Sequence, residues 1–89
     1  MIFDDRVKYE ILLRINASYV NDNFDLNNTL NLKKLNLTES ELGLYLEELI
    51  DSGYINDLKI KTLHDGNFIT TGVKPNVSIH GKYFCDNFK

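Results

Sequence analysis

The sequence predicts an α+β chain with a winged helix-turn-helix architecture: three helices, a β-hairpin wing and a C-terminal helix. Three observations predict it. A capping signature at Thr38 opens a helix with one leucine-rich face. The apolar period then changes from helical to alternating between Ile55 and Leu63. An Asp65-Gly66 pair follows, a strong signal for a two-residue hairpin turn, ahead of a last segment rich in aromatic residues.

Each element has its own local reason. The first helix runs from about Asp5 to Ala17, with Asp4 or Asp5 placed to accept from free backbone N–H groups at the positive end of the dipole. Val7, Ile11 and Ile15 form a stripe, joined by Leu12, while Tyr9 and Leu13 lie on the other side. Two apolar faces call for two covers: the domain's own core, and either the C-terminal helix or a second subunit. Ser18 to Asn28 is polar and reads as a loop. Thr29 to Leu35 is a short helix, with Leu30 or Leu32 and Leu35 inward and Lys33-Lys34 outward. Asn36 suits the left-handed turn that ends it.

Thr38-Glu39-Ser40-Glu41 is a capping box, and Leu37 with Leu42 is placed as a hydrophobic staple. Leu42, Tyr45, Leu46, Leu49 and Ile50 share one face, and Gly53 fits the position just past the helix end. In the hairpin, Leu58 and Ile60 alternate with Lys59 and Lys61, and Phe68 to Thr71 returns. Gly72 to Asn76, with Pro75, is a break. Ser78 caps a last helix carrying Ile79, Tyr83, Phe84 and Phe88.

Size and composition bound the rest. Eighty-nine residues make a single domain over 1–89 with a thin core. One cysteine, Cys85, allows no internal disulfide. No apolar run approaches the length of about 20 residues that spans a bilayer. The first residues do not form a signal peptide. The expectation is a cytoplasmic protein without a membrane segment, in which the Asn-x-Ser/Thr triplets at Asn16, Asn27, Asn36 and Asn76 are chance. A wealth of Asn, Ile, Lys and Tyr suits an AT-rich genome, such as that of a low-GC bacterium or its phage.

Two stretches carry a resemblance. One is Leu37-Thr38-Glu39-Ser40-Glu41-Leu42 leading to Leu49-Ile50-Asp51-Ser52-Gly53-Tyr54-Ile55; the other is Val77-Ser78-Ile79-His80-Gly81-Lys82-Tyr83-Phe84. Both resemble the YjcQ-type family of small winged-helix proteins of Gram-positive bacteria and their prophages. The resemblance spans roughly residues 37–88 and implies the fold. It implies no defined biochemical role, and a fold does not fix a function.

Catalytic constellations are lacking in the sequence. Cys85 lies between Phe84 and Phe88 and reads as a packed thiol. His64, Asp65, His80 and Cys85 have none of the short paired spacings of a zinc site. Asp4-Asp5 and Glu47-Glu48 are adjacent pairs whose side chains diverge on a helix. No glycine-rich phosphate loop occurs. The expectation is a binding module, not an enzyme, with no cofactor and no metal.

Charge then divides the partners. Net charge is -3, split as -5 over residues 1–52 and +2 over residues 53–89. The helix that the fold would place in a DNA groove presents Ser40, Leu44, Glu47, Glu48 and Asp51, with Glu41 and Gly43 at its edges and no Lys or Arg. DNA affinity rests largely on cationic contacts to phosphate. Fold analogy therefore favours a DNA-associated regulator of transcription that grips nucleic acid through the wing and its surroundings: Lys59, Lys61, His64, Lys74 and Lys82. The charge map favours a protein–protein interaction, or inhibition of a host protein, through the acidic helix face with Leu44 as apolar anchor. A homodimer is open too, through acidic half against basic wing or through Tyr9 and Leu13 across a two-fold axis.

Overall fold

A computed structural model of the protein describes residues 3–20, 32–65 and 67–88. In chain order it contains α1 (Asp5–Val20), α2 (Leu32–Leu35), α3 (Glu39–Asp51), β1 (Ile55–Asn56), β2 (Lys59–Thr62), β3 (Phe68–Thr71), β4 (Asn76–Val77) and α4 (Ile79–Phe88). The arrangement is α+β and matches the winged-helix order.

Asp4 begins α1: its Oδ1 accepts from the Arg6 N–H at 2.8 Å and its carbonyl from the Lys8 N–H at 3.1 Å. The helix continues three residues past the expected end, to Val20. Ser18 explains this. Its hydroxyl donates to the Ile15 carbonyl at 2.9 Å, so a polar side chain is buried without an unmet hydrogen bond. The expected loop therefore loses Ser18, Tyr19 and Val20 to the helix, and residues 21–28 lie outside the described residues. Of the short second helix, Leu35 is buried, Lys34 is exposed and Asn36 ends it at φ 57°, as expected. Leu30 and the side chains of Leu32 and Lys33 lie outside the described residues.

The capping box of α3 is complete. The Thr38 Oγ1 accepts from the Glu41 N–H at 3.2 Å, and the Glu41 Oε1 accepts from the Thr38 N–H at 2.9 Å. Its C-terminus closes on Gly53 at φ 77°, where the Tyr54 N–H reaches the Leu49 carbonyl and the Gly53 N–H the Ile50 carbonyl. These are the two bonds of a Schellman motif.

The core lies between α1, α3 and the strands. Ile11, Leu12 and Ile15 meet Leu42, Tyr45, Leu46 and Leu49, closed by Ile55, Leu58, Phe68 and Val77. The Tyr45 hydroxyl accepts from the Asp4 N–H at 2.8 Å, and Phe3 meets the Tyr45 ring edge-on at 5.1 Å. The second apolar face of α1 is covered by α4: Tyr9 stacks on Phe88 at 4.9 Å, whereas Leu13 stays partly exposed.

The wing differs from one continuous hairpin. Asp57 takes a left-handed conformation at φ 58°, splitting the expected strand into β1 and β2 and turning Leu58 into the core. The Asp57 carboxylate accepts from the Lys74 N–H at 2.8 Å, which holds the bend. The expected break after Gly72 is shorter than read. Asn76 and Val77 form β4, pairing with Asn56 and Ile55 of β1, because Val77 is buried and the Asn76 and Asn56 side chains bond at 3.3 Å. The outer pair runs from Lys59↔Thr71 to Thr62↔Phe68. It closes where the Leu63 N–H donates to the Asn67 carbonyl at 2.7 Å, so three residues separate the closing pair instead of two. The Asp65 carboxylate accepts from both the backbone and the side-chain N–H of Asn67. Gly66 lies outside the described residues.

Candidate functional site

The exposed face of α3 is the first candidate. It lies between two covered flanks. On one flank Gly43 is buried under Phe68 of the wing, a correction to its expected place at the edge of the open face. On the other, Glu48 is half-buried: its Oε1 accepts from the Ser52 hydroxyl at 3.1 Å and stands 3.9 Å from the Lys8 Nζ. What remains open is Ser40, Leu44, Glu47 and Asp51, with Leu44 44% exposed. Ser40 and Leu44 also rim a cleft of about 160 Å³ that Gly43, Thr62 and Phe68 complete. The structure thus keeps four of the five expected protein-binding residues on one open strip and turns Glu48 toward α1.

The electrostatics of that strip run against the helix. Residues Glu39–Asp51 carry five carboxylates and no Lys or Arg. Glu39 and Glu41 in the first turn favour the positive end of the dipole. Asp51, the last residue, stands at the negative end with no basic residue in that turn. Such a placement costs about 0.3–1 kcal/mol.

The basic residues fall into two groups. Lys59 and Lys61 are exposed on the outer face of the wing, directly across from Thr71 and the half-exposed Ile69. His64 is exposed at the tip. Lys74 and Lys82 sit elsewhere. The Lys74 Nζ lies 4.9 Å above the Tyr19 ring, and Lys82 lines a cavity of about 390 Å³ with Leu13, Val20, Cys85 and Asp86. Both gather at the C-terminal end of α1, whose last turn has no basic residue of its own. Their charge complements the dipole there.

The helix packing creates a further groove that the sequence reading missed. A cavity of about 400 Å³ is lined by Asp5, Tyr54, His80, Tyr83, Asn87 and Phe88. Its signal was present in the spacing of Tyr83, Phe84 and Phe88, but the partner rings Tyr9 and Tyr54 come from distant parts of the chain.

Across this whole arrangement a family model for the YjcQ protein matches residues 9–87. The chain belongs to the YjcQ protein family. The match runs from within α1 into α4 and takes in the α3 strip, the wing and the aromatic groove of this YjcQ-family domain except for Asp5 and Phe88. No curated protein and no solved structure matches the chain.

Among the described residues, no three His, Cys, Asp or Glu side chains stand together as a metal site, and no helix is long and apolar enough to cross a membrane. The Cys85 thiol is pushed up from its ordinary pKa by burial and then by the neighbouring Asp86 carboxylate. That keeps it a neutral thiol, a poor nucleophile.

Proposed function

We propose that this YjcQ-family domain is a non-catalytic binding module that docks a basic protein surface through the open strip of α3. The observation that carries this reading is the strip itself. The helix that the fold projects outward presents Leu44, Glu47 and Asp51, with no cation among them. Leu44 supplies an apolar anchor and the carboxylates select a basic partner. Asp51 supports a functional origin. A purely solubilising carboxylate has no reason to sit at the negative end of a helix, and residues that break a local rule without compensation concentrate at functional sites. A cytoplasmic setting and a prophage origin fit the composition. The test is a pull-down: Leu44→Arg with Glu47→Lys loses the partner, and unchanged binding removes this face from consideration.

A second reading has one specific observation behind it: Lys59 and Lys61 share the outer face of the wing with Thr71 and Ile69. This face could meet DNA backbone. Its strength is limited by number. Each phosphate neutralised contributes about 0.9 to the salt slope, so two lysines give a slope near -1.8, against 6–10 contacts in a firm complex. Lys74 and Lys82 add little, being gathered at the end of α1. Lys59→Glu with Lys61→Glu abolishes any DNA mobility shift on this reading.

A further inference from the structure

We infer that the groove between α4 and the Tyr54 turn is a subsite for an arginine side chain of the partner protein. This rests on the proposed docking of a basic protein and names the chemistry it adds.

Phe88, Phe84 and Tyr54 line the groove, and Tyr9 extends their row through Phe88. Tyr9 stacks on Phe88 at 4.9 Å and 22°, Phe88 tilts on Phe84 at 6.0 Å and 33°, and Phe84 stacks on Tyr54 at 5.4 Å and 29°. Tyr83 stands beside this row and is 72% exposed. The rings of the row stack on one another, and the exposed ring is that of Tyr83; its π-face attracts cations, and a planar guanidinium stacks on it as an ammonium cannot. The groove also offers acceptors. Asp5 supplies a carboxylate. Asn87 donates its Nδ2 to the Tyr83 carbonyl at 2.8 Å, which leaves its Oδ1 to accept. Guanidinium carries five N–H donors and no acceptor, the complement of such a set. The imidazole of His80 completes the rim. The cavity, about 400 Å³, is large enough for one such side chain.

The groove starts close to the C-terminal end of α3. Asp51 ends α3, and the Schellman turn carries the chain from it to Tyr54 in three residues. Ser78 fastens α4 to that turn: its hydroxyl donates to the Gly53 carbonyl and accepts from the Gly81 N–H, and its backbone N–H donates to the Tyr54 carbonyl at 2.9 Å. Gly81 lets α4 come this close, since a Cβ there would collide with the Tyr54 carbonyl. A basic partner that meets Asp51 therefore has the aromatic groove three residues further along the chain, at Tyr54.

The test is a titration of the ¹⁵N-labelled full chain with N-acetylarginine amide, read at the amides of Asp5, Tyr54 and residues 80–88. The expected result is saturable shifts there, with the isosteric but neutral N-acetylcitrulline amide binding about tenfold more weakly. Tyr83→Ala and Asp5→Asn, both at exposed positions, each reduce the response while leaving the rest of the spectrum in place. Equal binding of arginine and citrulline, no shift at the groove, or no effect of either variant overturns the inference. So does a groove that closes in a concentration-dependent dimer and ignores arginine, since a second copy is then the occupant. The pull-down with Leu44→Arg and Glu47→Lys keeps the two ideas apart. A partner lost there with no arginine response leaves the docking reading standing without this subsite. Arginine binding with the partner retained does the reverse.

Discussion

Gly43 of α3 and Phe68 of the wing pack so closely that a Cβ on Gly43 would lie 2.7 Å from the Phe68 Cδ1. This contact seats the wing on the helix and fixes one edge of the open strip. An alanine favours helix by about 1 kcal/mol, but overpacking a buried ring costs about 1–3 kcal/mol. Because Phe68 is only 8% exposed, the ring has little room to move. Gly43→Ala is therefore expected to destabilise the domain in urea unfolding, and Phe68→Leu in the same chain to recover part of the loss. A more stable Gly43→Ala protein would mean that the wing is not seated there.

Leu49 is fully buried in the core that α1, α3 and the strands share. Leu49→Ala is expected to cost about 2–5 kcal/mol as a core truncation. A loss below about 0.5 kcal/mol, measured by the same unfolding, would place α3 wrongly.

Much of this fold was legible because its signals are local. Thr38 and Glu41 bond each other within one turn, and Gly53 and Asn36 take the left-handed positions their residue types suit. The misses share a different cause. Asp57 bends the wing because a carboxylate meets the Lys74 N–H 17 residues away, and β4 exists because Asn76 finds Asn56 across 20. Ser18 looked like the start of a loop until its hydroxyl turned back on Ile15. The candidate site divides in the same way. The acidic face followed from helical spacing alone, but the withdrawal of Glu48 to Lys8 and of Lys74 to Tyr19 depends on how α1 packs. The aromatic groove draws on Asp5, Tyr54 and α4 together, which no single stretch of sequence displays.

Asp51 offers a test in which stability and binding move in opposite directions. Asp51→Lys replaces an unfavourable charge at the C-terminus of α3 with a favourable one. The expected gain is about 0.3–1 kcal/mol, larger at low salt, read as a higher unfolding midpoint. The same variant is expected to bind the protein partner more weakly. A variant that gains stability and keeps full binding would mark the acid as unneeded by the partner.

Cys85 gives a prediction in pH. Burial, then Asp86, raises its pKa above the ordinary 9.0, so the folded protein holds the thiol proton more tightly than the unfolded chain. The stability this contributes is present below the unfolded pKa and is lost as pH rises through the folded value, in the alkaline range. Alkylation by iodoacetamide is expected to be slower at pH 8 in the folded domain than in urea, and to accelerate above pH 9. Folded-state reaction as fast as in urea at pH 8 would contradict the burial of the thiol.

The most direct test of the central claim is photo-cross-linking in cells, with p-benzoylphenylalanine placed at position 44 of α3 in one protein and at position 61 of the wing in another. The account predicts a discrete protein adduct from position 44, weakened when Asp51→Lys is added, and no matching adduct from position 61. A nucleic-acid adduct from position 61 with nothing captured at position 44 would contradict it.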